Sequence, residues 1–226
     1  MNNDPHRDGP IREFGTPLTD AWGAVILLHG RGGSAGDILT LARDLYLPRV
    51  VYLAPQAAGN SWYPNSFLAP VALNEPWLAS ALRKVETTVR MANEAGISAD
   101  RIVIGGFSQG ACLATEFVAG RPQRYAGLVA FSGGLIGPPG SDLAHPGDLA
   151  GTPALLSGGD PDPHVPWQRM EESARILARM GAAVTTRRYA NRPHTISHDE
   201  IELARQLLHK AYGATVGHGD ARVALQ

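Results

Sequence analysis

Short apolar runs alternate with helical patterns along almost the whole chain, and this alternation restricts the fold more than any other feature. Runs with strand character are Ala24–Leu28, Val50–Leu53, Ile102–Ile104, Leu128–Phe131, Ala154–Leu156 and Val184–Tyr189. Helical spacing of apolar residues covers Asp37–Leu45, Trp77–Ala95, Gln109–Ala119, Trp167–Met180 and Ser197–Tyr212. Most of the strand runs are continuously apolar, as expected for strands buried on both faces of a sheet. Right-handed crossovers then give a mostly parallel, doubly wound α/β sheet with helices on both faces, and a ligand site at the carboxyl ends of the strands. Ile11–Phe14 is expected to add an antiparallel edge strand. With 226 residues, 44% of them hydrophobic, the chain suits one domain spanning 1–226 without a large lid domain. Residues 1–10 and 214–226 are expected to be flexible tails.

Composition removes several functional classes. A formal charge of -1, with no local run of lysine and arginine, gives no electrostatic basis for binding nucleic acid. The polar start Met1–Asp8 lacks an apolar signal core, and no stretch of roughly eighteen apolar residues occurs, so no membrane span and a cytoplasmic location are expected. The single cysteine, Cys112, forms neither an intrachain disulfide nor a CxxC pair and is read as a small buried hydrophobe. No metal and no organic cofactor is implied, and a homodimer is left open.

Gly106-Phe107-Ser108-Gln109-Gly110 joins a strand run to a helical one. A serine on such a sharp turn has an exposed hydroxyl above a helix N-terminus, with glycines where side chains would collide, which makes Ser108 the candidate nucleophile. Its hydroxyl needs a base oriented by a carboxylate, and in hydrolases with this turn the order is serine, acid, histidine. The loop after Ala154–Leu156 offers Asp160 and Asp162, and the loop after Tyr189 offers His194 and His198. Ser197-His198-Asp199-Glu200 has capping-box spacing, so His198 falls in a first helical turn and His194 stays on the loop as the better base. His29, directly after a strand, is read as a buried, hydrogen-bonded support. An oxyanion hole needs two backbone N–H groups, and Gln109 after the serine and Arg31 in the glycine-rich segment His29–Ser34 are the candidates. That segment lacks a complete phosphate-loop or dinucleotide fingerprint.

Four ordered motifs, Leu28–Gly33, Gly105–Ala111, Gly159–Pro166 and Tyr189–Ser197, together resemble the phospholipase/carboxylesterase family of small α/β-hydrolases, which includes acyl-protein thioesterases. The resemblance covers nearly the whole chain. It implies that the second aspartate of Gly159-Asp160-Pro161-Asp162-Pro163-His164-Val165-Pro166 is the triad acid, Asp162, and that Asp160 shapes the loop. The family commonly has glycine before its histidine, whereas this chain has Pro193. Pro55–Phe67 aligns loosely with the family's aromatic pocket loop, and its Trp62, Tyr63 and Phe67, with Leu73 nearby and Val165 of the acid segment, are the candidate substrate contacts. For Trp62 and Tyr63 the alternative is packing of the loop onto the core. The expected activity is hydrolysis of a small-molecule carboxylic ester or thioester with a short to medium acyl chain through an acyl-Ser108 intermediate. A peptidase, acyltransferase or lyase with the same triad, or a catalytically silent ligand-binding module, are the competing readings.

Overall fold

The computed structural model describes residues 4–216, with side chains to residue 213. Seven strands form one sheet: β1 (Ile11–Gly15), β2 (Gly23–Leu28), β3 (Val50–Pro55), β4 (Ile102–Phe107), β5 (Gly127–Phe131), β6 (Pro153–Asp160) and β7 (Ala183–Ala190). Their order is β1-β3-β2-β4-β5-β6-β7, all parallel except β1, which runs antiparallel to β3 with Ile11 opposite Pro55. Four α-helices connect strands, α1 (Ala35–Asp44), α2 (Trp77–Glu94), α3 (Gln109–Gly120) and α4 (Trp167–Arg179), and α5 (His198–Val216) follows β7.

The continuous apolar runs are explained by the two cores they serve. Ala24, Ile26 and Leu28 of β2, with Ile102 and Ile104 of β4 and Leu128 and Ala130 of β5, face α2, α3 and α4. The intervening Val25, Leu27, Val103 and Val129 face α1 and α5. Successive residues of a strand point to opposite faces, so a strand covered on both sides must be apolar at every position. Edge strand β7 keeps Thr185, Thr186, Arg187 and Arg188 exposed, which blunts the open edge with charge.

From β2 the chain first turns outward to β3, then returns to lay β4 on the other side of β2, with Leu28 beside Gly106. This reversal opens a crevice at the carboxyl ends of β2 and β4, the place where doubly wound sheets bind ligands.

Residues 4–10 are not a loose tail. His6 is fully buried; its N–H donates to Ser80 Oγ at 3.0 Å, its Nδ1 accepts from the N–H of Ala58 at 3.0 Å, and its Nε2 donates to Trp62 O at 2.9 Å. Ser80 Oγ donates to Asp4, and Lys84 Nζ donates to Gly9 O. A polar segment is thus tied down by side chains far away in sequence, a pattern that local composition does not reveal. At the other end α5 runs to Val216, and the remainder of the expected 214–226 tail lies outside the described residues, as do residues 1–3.

Candidate active site

Ser108 stands between the last residue of β4 and the first of α3, at φ 54 and ψ -119. An L-residue held there stores on the order of 1–3 kcal/mol of backbone strain, which the surrounding packing must offset. Glycines make the packing feasible. A Cβ on Gly106 would lie 2.6 Å from Leu28 O, and one on Gly110 only 2.1 Å from the same oxygen, so helix α3 can start against β2 only if both positions lack side chains. Ser108 sits at the N-cap position of α3, yet its side chain caps nothing and is free to face the crevice.

His194 and Asp162 meet it there. His194 Nδ1 lies 2.7 Å from Asp162 Oδ2, and His194 Nε2 lies 2.8 Å from Ser108 Oγ. A carboxylate only accepts, so Nδ1 carries the proton, and in the neutral ring Nε2 then accepts from the Ser108 hydroxyl. The Asp162 side chain is 1% exposed. Burial pushes its pKa up, but hydrogen bonds from His194 and from the N–H groups of Val165 and His164 outweigh that effect and hold the carboxyl below its ordinary value. Asp160 points elsewhere, pairing with Arg188. His198 is exposed in the first turn of α5, where Ser197 and Glu200 form the expected cap: Ser197 N–H donates to Glu200 Oε2 at 2.8 Å and Glu200 N–H to Ser197 Oγ at 3.4 Å.

Glu200 does more than cap. It is fully buried and accepts from Ser157 Oγ of β6 at 2.7 Å and from Arg192 of the His194 loop. The loop is thereby fastened to β6 and α5 at one carboxylate. The same loop passes so close to β6 that a Cβ on Gly159 would lie 2.4 Å from Arg192 O. The cap spacing marked Glu200 in the sequence, but its burial and its pairing with Arg192 had no sequence signal.

Among the described residues the N–H groups of Arg31 and Gln109 make no hydrogen bond, although both side chains do. Arg31 donates to Ser61 Oγ at 3.1 Å, Pro64 O at 2.9 Å and Asn65 O at 2.7 Å. Gln109 accepts from Trp62 N–H at 2.9 Å and donates to Tyr63 O at 2.7 Å. Both side chains therefore lash the 61–65 loop over the crevice. His29 is buried beneath, its Nδ1 donating to Gly30 O at 2.8 Å and its Nε2 accepting from Ala57 N–H at 3.2 Å, and burial lowers its pKa.

A cavity of about 560 Å³ opens at Ser108, with Tyr63, Phe67, Cys112 and Val165 among its walls. Of the candidate substrate contacts, Tyr63, Phe67 and Val165 line it, and Trp62 and Leu73 do not. Trp62 is fully buried behind the loop, tilted against the His29 ring at 4.9 Å with its indole N–H donated to His29 O at 2.8 Å. It packs the loop onto His29. Leu73 is 59% exposed, in a helical turn outside the cavity. Cys112 is buried, and burial pushes its thiol up to about 12, so it remains a neutral wall. Among the described residues no three His, Cys, Asp or Glu side chains group as a metal site, and no helix is long and apolar enough to cross a membrane.

A mostly parallel sheet with a serine on the turn from its central strand to the following helix defines an α/β-hydrolase. The chain belongs to the phospholipase/carboxylesterase family, whose model matches residues 16–212. A solved phospholipase/carboxylesterase from Dyadobacter fermentans DSM 18053 is 47% identical, with a TM-score of 0.85 over 89% of this chain and 96% of that one. The carboxylesterase of Bacillus cereus, at 22% identity, shares the fold with a TM-score of 0.72 over 94% of this chain and 100% of that one. Acyl-protein thioesterase 1 of Saccharomyces cerevisiae is 39% identical over 88 residues, 38% of each chain. Matches to the proteins of the same name from Yarrowia lipolytica and Gibberella zeae span 56% and 51% of those chains, so this chain aligns with about half or less of the length of these relatives.

Proposed function

We propose that the protein hydrolyses small carboxylic esters, and thioesters of the same acyl groups, through a covalent acyl-Ser108 intermediate. The observation that carries this reading is the continuous chain of hydrogen bonds from Asp162 through His194 to the Ser108 hydroxyl, ending in an open cavity. His194 Nε2 takes the hydroxyl proton as Oγ attacks the carbonyl carbon, and Asp162 holds the ring in that tautomer and stabilises the imidazolium. The two unengaged N–H groups of Arg31 and Gln109 receive the developing oxyanion, and the lashing of their side chains keeps that pair from relaxing. His194 then returns its proton to the leaving alcohol or thiol. Water, activated by the same ring, releases the acid and restores Ser108.

The acyl group occupies the space walled by Tyr63, Phe67, Cys112 and Val165, whose size suits short to medium chains. Names of relatives support both ester and thioester chemistry. Steady-state kinetics on an activated ester test the reading: Ser108→Ala and His194→Ala are each expected to lower kcat by on the order of 10³-fold or more, while both variants keep the wild-type circular dichroism. Retention of activity by either variant would remove the proposed mechanism.

A further inference from the structure

A second cavity, of about 390 Å³, lies between α1 and the start of α5 and shares Gly30, Arg31 and Phe107 with the first. Ile38, Leu41, Ile196 and Ile201 make its walls apolar. We propose that it receives the leaving group of the substrate, the alcohol part of an ester whose alcohol is bulky and apolar. The inference rests on the serine-hydrolase reading above.

Three observations point to this occupant. First, once the carbonyl carbon is bonded to Oγ and its oxygen points at the N–H groups of Arg31 and Gln109, two substituents remain, and two cavities adjoin the site to take them. The cavity at Ser108 holds one. Second, the leaving atom must lie within reach of His194 Nε2 to receive its proton. The ring of Phe107 packs against His194 at 4.9 Å, Phe107 lines both cavities, and Ile196 lies two residues after His194 on the same loop, so two residues of the second cavity's wall adjoin the proton donor. Third, the lining suits an apolar group: Ile38, Leu41, Ile196 and Ile201 wall the cavity, and its charged residues, Arg31, Asp37 and Asp44, are of both signs.

Esters of one acid with two alcohols separate this from acyl binding. The ratio of kcat/KM for 2-naphthyl butyrate to that for methyl butyrate reads the alcohol side, and the ratio for 2-naphthyl hexanoate to 2-naphthyl acetate reads the acyl side; intrinsic reactivity cancels when variant and wild type are compared. Ile201→Trp fills the cavity, and Thr40→Trp, at an exposed position of α1, blocks it without touching the core and decides the matter should Ile201→Trp not fold. The alcohol ratio is expected to fall about tenfold in each while the acyl ratio holds. An unchanged alcohol ratio, or a change in the acyl ratio instead, overturns the assignment. Ser108→Ala run beside them tells the two claims apart: if it still turns over these esters, the serine reading itself is lost, and if it is inactive, the ratios judge the second cavity alone.

Discussion

Asp160 ends β6 and Asp162 stands two positions further on, and only Asp162 reaches a histidine. Asp162→Asn is expected to lower kcat by about 10³–10⁴-fold, because an amide in its place favours the wrong tautomer of His194. Asp160→Asn breaks a pair whose Arg188 side chain is 58% exposed, so it is expected to cost less than about 1 kcal/mol of stability and to spare most activity. Kinetics and urea melts on the two variants check this ranking, and the reverse order would move the acid. The family motif, not the spacing, separated these aspartates in the sequence. For the histidines the local signal sufficed, since a capping box at Ser197 and Glu200 places His198 in a helix and leaves His194 on its loop. Side-chain direction in the aromatic loop was not legible: Trp62 and Tyr63 are neighbours, yet one packs on His29 and the other lines the cavity. Phe67 is the better probe of acyl length. Phe67→Ala is expected to shift the acyl optimum toward longer chains, since each further methylene buried favours binding by roughly 0.8 kcal/mol; an unchanged optimum in a chain-length series would place the acyl group elsewhere.

The turn from β4 to α3 leaves no room for side chains at Gly106 and Gly110. Gly110→Ala drives a methyl group into Leu28 O and is expected to destabilise the fold by about 1–3 kcal/mol or more. Gly213, near the end of α5, has nothing within 4 Å of an added Cβ, so Gly213→Ala is expected to add roughly 0.5–1 kcal/mol through helix propensity alone. Urea denaturation of the pair measures both, and equal effects would contradict the role given to the turn. The strands and helices could be read from the chain because each buries both faces or one stripe against the sheet, and those periodicities are local. The stretch 56–70 could not. Its path is set by His6, Arg31, Gln109 and Asn74, whose hydrogen bonds to it come from other parts of the chain.

For the molecule as a whole, two buried histidines tie stability to pH. Burial lowers the pKa of His6 and of His29 from the ordinary 6.5, so on acidification the unfolded chain takes up protons that the folded one refuses. Their contribution is complete above pH 6.5 and is lost as the pH falls below it, toward their folded values. His145, raised by its hydrogen bond to Glu116, acts in the opposite sense, but its side chain is 27% exposed and solvent screens the pair. The urea midpoint is therefore expected to drop between pH 7 and pH 5, and to drop less in His6→Gln. A midpoint that rises on acidification would contradict this balance. The central claim, that the strained turn presents a nucleophile activated by His194, is tested most directly by intact mass and peptide mapping after treatment with a fluorophosphonate. One adduct is expected, on Ser108, with none in Ser108→Ala and slow labelling in His194→Ala; an unlabelled wild-type protein, or an adduct on another residue, would contradict it.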